Sequence, residues 1–113
     1  MSSLEMGLNG ITHADIKGLL KAEQSYGDSW KKRGGVGAFM MLARKWDRLE
    51  NQVKMHDYDI FEAISCDVRI EGIIDDIRDL RRYLLLVEEH MGQAIPQLDK
   101  EGDAGSSYVN QDR

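Results

Sequence analysis

One cysteine, one proline and no long apolar run: this 113-residue chain is marked first by what it has little of. Cys66 alone cannot close an intramolecular disulfide, and it leaves no set of thiolates for a structural zinc site. A lone thiol fits a reducing compartment. No segment approaches the ~18 apolar residues needed to cross a bilayer, and the opening residues lack a charged-then-apolar leader pattern. The expectation is a cytoplasmic protein with no membrane partner. Basic excess is missing too. With 15 Lys and Arg against 20 Asp and Glu, the net charge of −5 argues against a general nucleic-acid binder.

What is present is helical periodicity. The length suits one domain, able to bury roughly 65% of the surface exposed by its unfolded chain. Apolar residues recur at three and four positions and β-branched alternation is nearly absent, so the fold class is all-α, a four-helix bundle-like domain. Residues 1–10, with Gly7 and Gly10, read as a flexible arm. Thr12 is a candidate N-cap for a first helix burying Ile16, Leu19 and Leu20, with Gly27 as its stop. A glycine-rich cationic stretch, DSWKKRGG, leads into a second helix over about 36–55. Phe39, Leu42, Ala43, Trp46, Leu49 and Val53 occupy roughly 120° of its circumference. A short third helix is expected after Asp57-Tyr58-Asp59. A fourth, over about 68–92, carries Ile70, Ile73, Ile74, Ile77, Leu80, Leu84, Val87 and Met91 as its core face. The domain spans 11–95, and residues 96–113 are polar enough to read as a mobile tail.

The carboxylates are the candidate chemistry. Glu50 projects into the apolar arc of the second helix, between Phe39 and Ala43, with Asp47 at its flank. A carboxylate withdrawn from water needs a cation or several donors, so Glu50 is either paired with an arginine or a metal ligand. On the fourth helix Glu71, Asp75 and Asp79 repeat every four residues, extended by Asp76. Arg78, Arg81 and Arg82 interleave, which allows a solvated salt-bridge face. The alternative is a site for Mg²⁺, a hard cation that prefers oxygen ligands and shares its shell with phosphates. Lys31, Arg33, Lys45 and Arg48 stand close in sequence as phosphate partners. No Walker-type glycine loop is present.

The segments YGDSWKKRGG, KWDRLE and EGIIDDIRDLRRYLLL together resemble the MazG-like branch of the all-α nucleoside triphosphate pyrophosphohydrolases. Within it they are most similar to small phage and bacterial members associated with nucleotide modification. Asp47-x-x-Glu50 corresponds to that family's first carboxylate motif and Asp76-x-x-Asp79 to its second. In the narrower group, Glu71, Asp75, Asp79, Leu80 and Tyr83 match a Glu-Ser-x-x-Asp-x-x-x-Asp-Leu-x-x-Tyr pattern. Gly72 replaces the serine and Asp47 the usual first Glu. The likeness spans about residues 25–91.

The resemblance implies Mg²⁺-dependent hydrolysis of a nucleoside triphosphate to monophosphate and pyrophosphate, with Mn²⁺ as a substitute ion and a purine deoxynucleotide such as dGTP or dATP as substrate. If a phage encodes the chain, it would act in the host cytoplasm. Asp47, Glu50, Glu71, Asp75 and Asp79 would hold metal, and Glu50 would activate water. Lys31, Arg33, Lys45 and Arg48 would bind phosphates, Trp30 would stack on the base and Tyr83 would meet the sugar. Acids facing away from an isoleucine stripe further suggest a site completed in a homodimer or tetramer.

Three other readings stand beside this one. His56-Asp57 evokes the His-Asp phosphohydrolases, which need more helices and another upstream histidine. A di-iron carboxylate bundle needs Glu-x-x-His pairs, but Gly10, Val53 and Val87 precede the histidines by three. A non-enzymatic helical interaction module, with solvated acidic faces, is the remaining alternative.

Overall fold

The computed structural model describes residues 1–95, so the segment expected as a tail, 96–113, lies outside the described residues. Four α-helices follow in order, α1 (Ser3–Tyr26), α2 (Gly34–Lys54), α3 (Ile60–Ser65) and α4 (Ile73–Ala94), and a 3₁₀ turn at Ser29–Lys31 precedes α2. No strand occurs among the described residues, and the all-α class holds.

The first helix begins earlier than its sequence suggests. Residues 3–10, expected as a flexible arm, are helical because Ser2 and Glu5 close a capping box. The Ser2 hydroxyl accepts from the Glu5 N–H at 3.0 Å, and the Glu5 carboxylate accepts from the Ser2 N–H at 3.1 Å. Thr12 is therefore not a cap. It lies mid-helix, with its hydroxyl donating to the Leu8 carbonyl. Gly27, at φ 61°, ends the helix as expected.

The other caps are carboxylates. Asp59 caps α3 by accepting from the Phe61 and Glu62 N–H groups, both at 3.1 Å. Asp67 caps α4 from six residues upstream, its Oδ2 accepting from the Ile73 N–H at 2.6 Å. Asp75 reaches back to the Gly72 N–H at 3.0 Å. Because α4 starts at Ile73, Ile70 and Glu71 precede it. Ile70, expected in the core, is 98% exposed.

Helices α2 and α4 run antiparallel and form the main packed pair. Leu49 and Val53 of α2, Ala63 of α3 and Ile73 of α4 make the buried cluster, flanked by Ile60 and Ile64. Ala38 is buried nearer the start of α2. The apolar arc of α2 is wider than the surface α4 covers, so Phe39 and Trp46 remain 65% and 53% exposed. Ile16 and Leu20 of α1, and Ile74 of α4, are exposed for the same reason: no other described element packs over them.

Helix α1 is held by charge rather than by apolar packing. Asp15 is fully buried and accepts from Arg81 Nε at 2.5 Å, Arg81 Nη2 at 2.8 Å and Arg82 Nε at 2.7 Å. Gly18 permits this approach. A Cβ there would lie 2.5 Å from the Arg82 guanidinium.

Candidate functional site

The antiparallel register of α2 and α4 creates a ladder of opposite charges. Lys45 Nζ lies 2.9 Å from Asp79 Oδ2, and one turn along Arg48 Nε lies 3.1 Å from Asp76 Oδ1. The two cations are three residues apart on one helix and the two acids three apart on the other, so each set shares a face. Asp76 is only 1% exposed, yet neither of its carboxylate oxygens has a correctly aimed hydrogen bond from the described residues. The Arg48 contact is thus close in distance but poor in direction, and Arg69 stands further off at 4.0 Å. A buried carboxylate with both oxygens unsatisfied is costly and marks a place able to take a donor or cation.

The sequence-derived ligand set is dispersed. Glu50 and Asp47 are exposed. At about 100° per residue they stand roughly 100° and 160° from Leu49, which faces α4. The expectation of a buried Glu50 is corrected: the edge of the arc on which it lies, with Phe39 and Trp46, is uncovered. Glu71 is exposed ahead of α4, and its backbone carbonyl accepts from Arg48 Nη2 at 3.3 Å. Asp75 is spent on the Gly72 N–H and an ion pair with Arg78. The even row Glu71–Asp75–Asp79 is therefore broken, because Glu71 lies off the helix and the acids turned toward α2 are Asp76 and Asp79. Among the described residues no group of three His, Cys, Asp or Glu side chains converges on one point. Five carboxylates around a resident metal do not fit. The Asp76–Asp79 pair fits a more modest role, since Mg²⁺ is commonly held by one or two carboxylates with substrate phosphates and water.

A cavity of about 380 Å³ lies beyond the ladder, between the start of α2 and the end of α4. Trp30, Phe39, Leu42, Val87 and Met91 supply apolar wall, with Lys31 and His90 as its polar members. The Trp30 and His90 rings meet edge to face at 6.0 Å. Lys31 Nζ lies 3.5 Å from His90 Nδ1 and 5.9 Å from the Trp30 ring centre. Gly34 and Gly35 border the cavity at the start of α2, a helix end without a side-chain cap. Arg33 is exposed at that end. Tyr83 is half-buried on the stripe of α4 that also carries Asp76 and Asp79.

Of the expected substrate-binding residues, Trp30 and Lys31 come together at the cavity and Lys45 and Arg48 at the ladder. Leu42, in the cavity wall, is three residues from Lys45, about 4.5 Å along the axis. His90 was not singled out as a ligand group, and its distance of 59 residues from Lys31 left no local signal. The role of Asp15 has no local signal either, its arginine partners standing 66 and 67 residues away.

Two carboxylates are strongly perturbed. The Arg81 hydrogen bond, opposed by burial and reinforced by Arg82, lowers Asp15 from 3.8 to about 2. The Arg69 hydrogen bond, with the Ile73 N–H, lowers Asp67 to about 2. Arg81 and Arg69 are raised in turn by those acids. The Asp15 pair packs α1 on α4; the Asp67 pair caps α4, with Arg69 also 4.0 Å from Asp76 of the ladder. No helix among the described residues is long and apolar enough to cross a membrane. No family model, curated protein or solved structure matches the chain.

Proposed function

We propose that the chain is a nucleoside triphosphate pyrophosphohydrolase that takes its substrate as the Mg²⁺ complex and releases monophosphate and pyrophosphate. The observation that carries this reading is the buried, unsatisfied Asp76 carboxylate in a Lys–Asp, Arg–Asp ladder beside an aromatic cavity. Without substrate, Lys45 compensates Asp79 and Arg48 stands against Asp76. A magnesium triphosphate brings a cation for the two acids and oxygens for the two bases, so the existing pairs exchange for new ones without stranding a charge.

Trp30 offers its ring to the base. Lys31 in the cavity wall and Arg33, exposed at the start of α2, would be further phosphate partners. Tyr83 lies on the stripe between cavity and ladder, where a sugar would pass. Glu50 keeps its proposed part as the group that activates water only if a second subunit covers its face. The purine deoxynucleotides suggested by the resemblance, the homodimeric or tetrameric state and the cytoplasmic setting belong to the same proposal.

The test is a panel of ribo- and deoxynucleoside triphosphates with Mg²⁺ or Mn²⁺, scored for monophosphate and pyrophosphate. Activity lost in both Lys45→Ala and Asp79→Asn, with helicity retained, supports the reading. Absence of pyrophosphate from every triphosphate overturns it. A second reading, a non-catalytic helical interaction module, is favoured by the lack of any three-residue metal group among the described residues. It expects no heat of Mg²⁺–nucleotide binding and no shift in melting temperature.

A further inference from the structure

Residues 1–14 of the chain are exposed throughout, although 3–14 are helical. The hydrogen bonds and ion pairs joining α1 to the other described helices begin at Ala14 and Asp15, where Arg82 and Arg81 arrive. Eleven helical residues, 3–13, extend beyond that anchor, about 16 Å of helix. A free helix of this length is marginal in water, and Gly7 and Gly10 weaken it by about 1 kcal/mol each relative to Ala. A helix packed on its apolar side would stabilise it.

Its side chains say where. Leu4, Leu8 and Ile11 are exposed and lie on the stripe that continues into Asp15, Gly18 and Leu19, the part of α1 set against α4. The packing face therefore runs on past its own chain. Elsewhere a second apolar surface is uncovered among the described residues. Phe39 and Trp46 on α2 are seven residues apart, as are Ile77, Leu84 and Met91 on α4, and all five are exposed. In the antiparallel pair both rows fall on one side, and Phe39 and Met91 already border the same cavity. Seven-residue spacing is the signature of a seam awaiting another helix. The α4 row is about 21 Å long and the Leu4–Ile11 stripe about 10 Å, so the stripe seats within the row.

We propose that the Leu4–Leu8–Ile11 stripe of one copy seats on the Phe39, Trp46, Ile77, Leu84, Met91 face of a second copy, reciprocally. A two-fold exchange covers both apolar surfaces of both chains and uses each in a one-to-one ratio. The first Lys or Arg is Lys17, so the free segment has no basic residues with which to hold an anionic membrane. Because Phe39 and Met91 line the cavity, the partner's α1 forms part of its wall. The exchange deepens the oligomeric part of the functional proposal, but its test does not depend on hydrolysis.

Sedimentation velocity on the full chain at micromolar concentration reads the result. The parent protein is expected as a dimer or a larger even assembly, and a monomer would overturn the proposal. Leu8→Asp damages the donor stripe and Leu84→Asp the acceptor seam. Each variant alone is expected to dissociate at least tenfold more readily, with unchanged helical circular dichroism. Mixed in equal amounts, the two variants retain one intact joint, the Leu84→Asp donor on the Leu8→Asp seam. The mixture should associate at least tenfold more tightly than either variant alone. If mixing gives no gain, or if both variants stay as tight as the parent, the exchange is wrong.

Discussion

Arg81 Nε lies 2.5 Å from Asp15 Oδ2, and this contact, 66 residues apart in sequence, fastens the first helix to the last. Arg82 joins from the next position, so two guanidinium groups converge on one buried carboxylate. The arrangement leaves α1 dependent on a single acid. Its consequences for pH follow directly.

Asp15 is lowered to about 2, chiefly by the Arg81 hydrogen bond. A depressed folded-state value contributes stability that is complete above the unfolded value of 3.8 and disappears as pH falls through about 2. Its size is on the order of 1–2 kcal/mol, allowing for solvent screening around the arginines. Acid titration followed by circular dichroism is expected to show loss of α1 packing between about pH 4 and 2. Asp15→Asn should flatten that dependence and lower neutral-pH stability by roughly 1–3 kcal/mol.

Asp76 should behave in the opposite way. It is buried with both carboxylate oxygens unsatisfied, so its charge is held at a cost. Asp76→Asn removes the charge, while Arg48, 43% exposed at its side chain, can turn to water. The melting temperature is expected to hold or rise, and nucleotide turnover to fall by more than the roughly 10–100-fold typical of changes around a metal site. A large drop in stability with full turnover would make Asp76 structural.

Gly72 is required by its neighbour. A Cβ at this position would collide with the Asp67 carboxylate that caps α4. Gly72→Ser or Gly72→Ala should displace that cap, costing about 1 kcal/mol and roughly 4–8 °C in melting temperature. The departure from the serine of the resembled pattern thus has a local cause.

Trp30 reports on the cavity. In a Trp46→Phe background it is the sole indole, and purine nucleotide is expected to quench its emission with or without metal. Phe39→Ala should weaken the quenching by about tenfold, equivalent to ~1.4 kcal/mol. Unaltered fluorescence at millimolar nucleotide would remove Trp30 from the substrate site, whatever the hydrolysis assay shows.

Helical class, the stop at Gly27, the cap at Asp59 and the amphipathic course of α2 were legible in the chain, because each depends on residues within a turn or two of one another. Ser2 and Glu5 carry the same kind of local signal, beside Gly7 and Gly10, which favour a loose arm. Tertiary structure alone decided which part of each apolar arc is covered. Periodicity locates an arc, but only the direction of α4 across α2 determines that Leu49 is buried while Phe39, Trp46 and Glu50 are not. It also selected Asp76 and Asp79 over Asp47 and Glu50 as the acids between the two helices, and paired Asp15 with arginines at the far end of the described chain. Local propensity reaches only a few residues; charge pairing and burial depend on which distant side chains arrive, and at what angle.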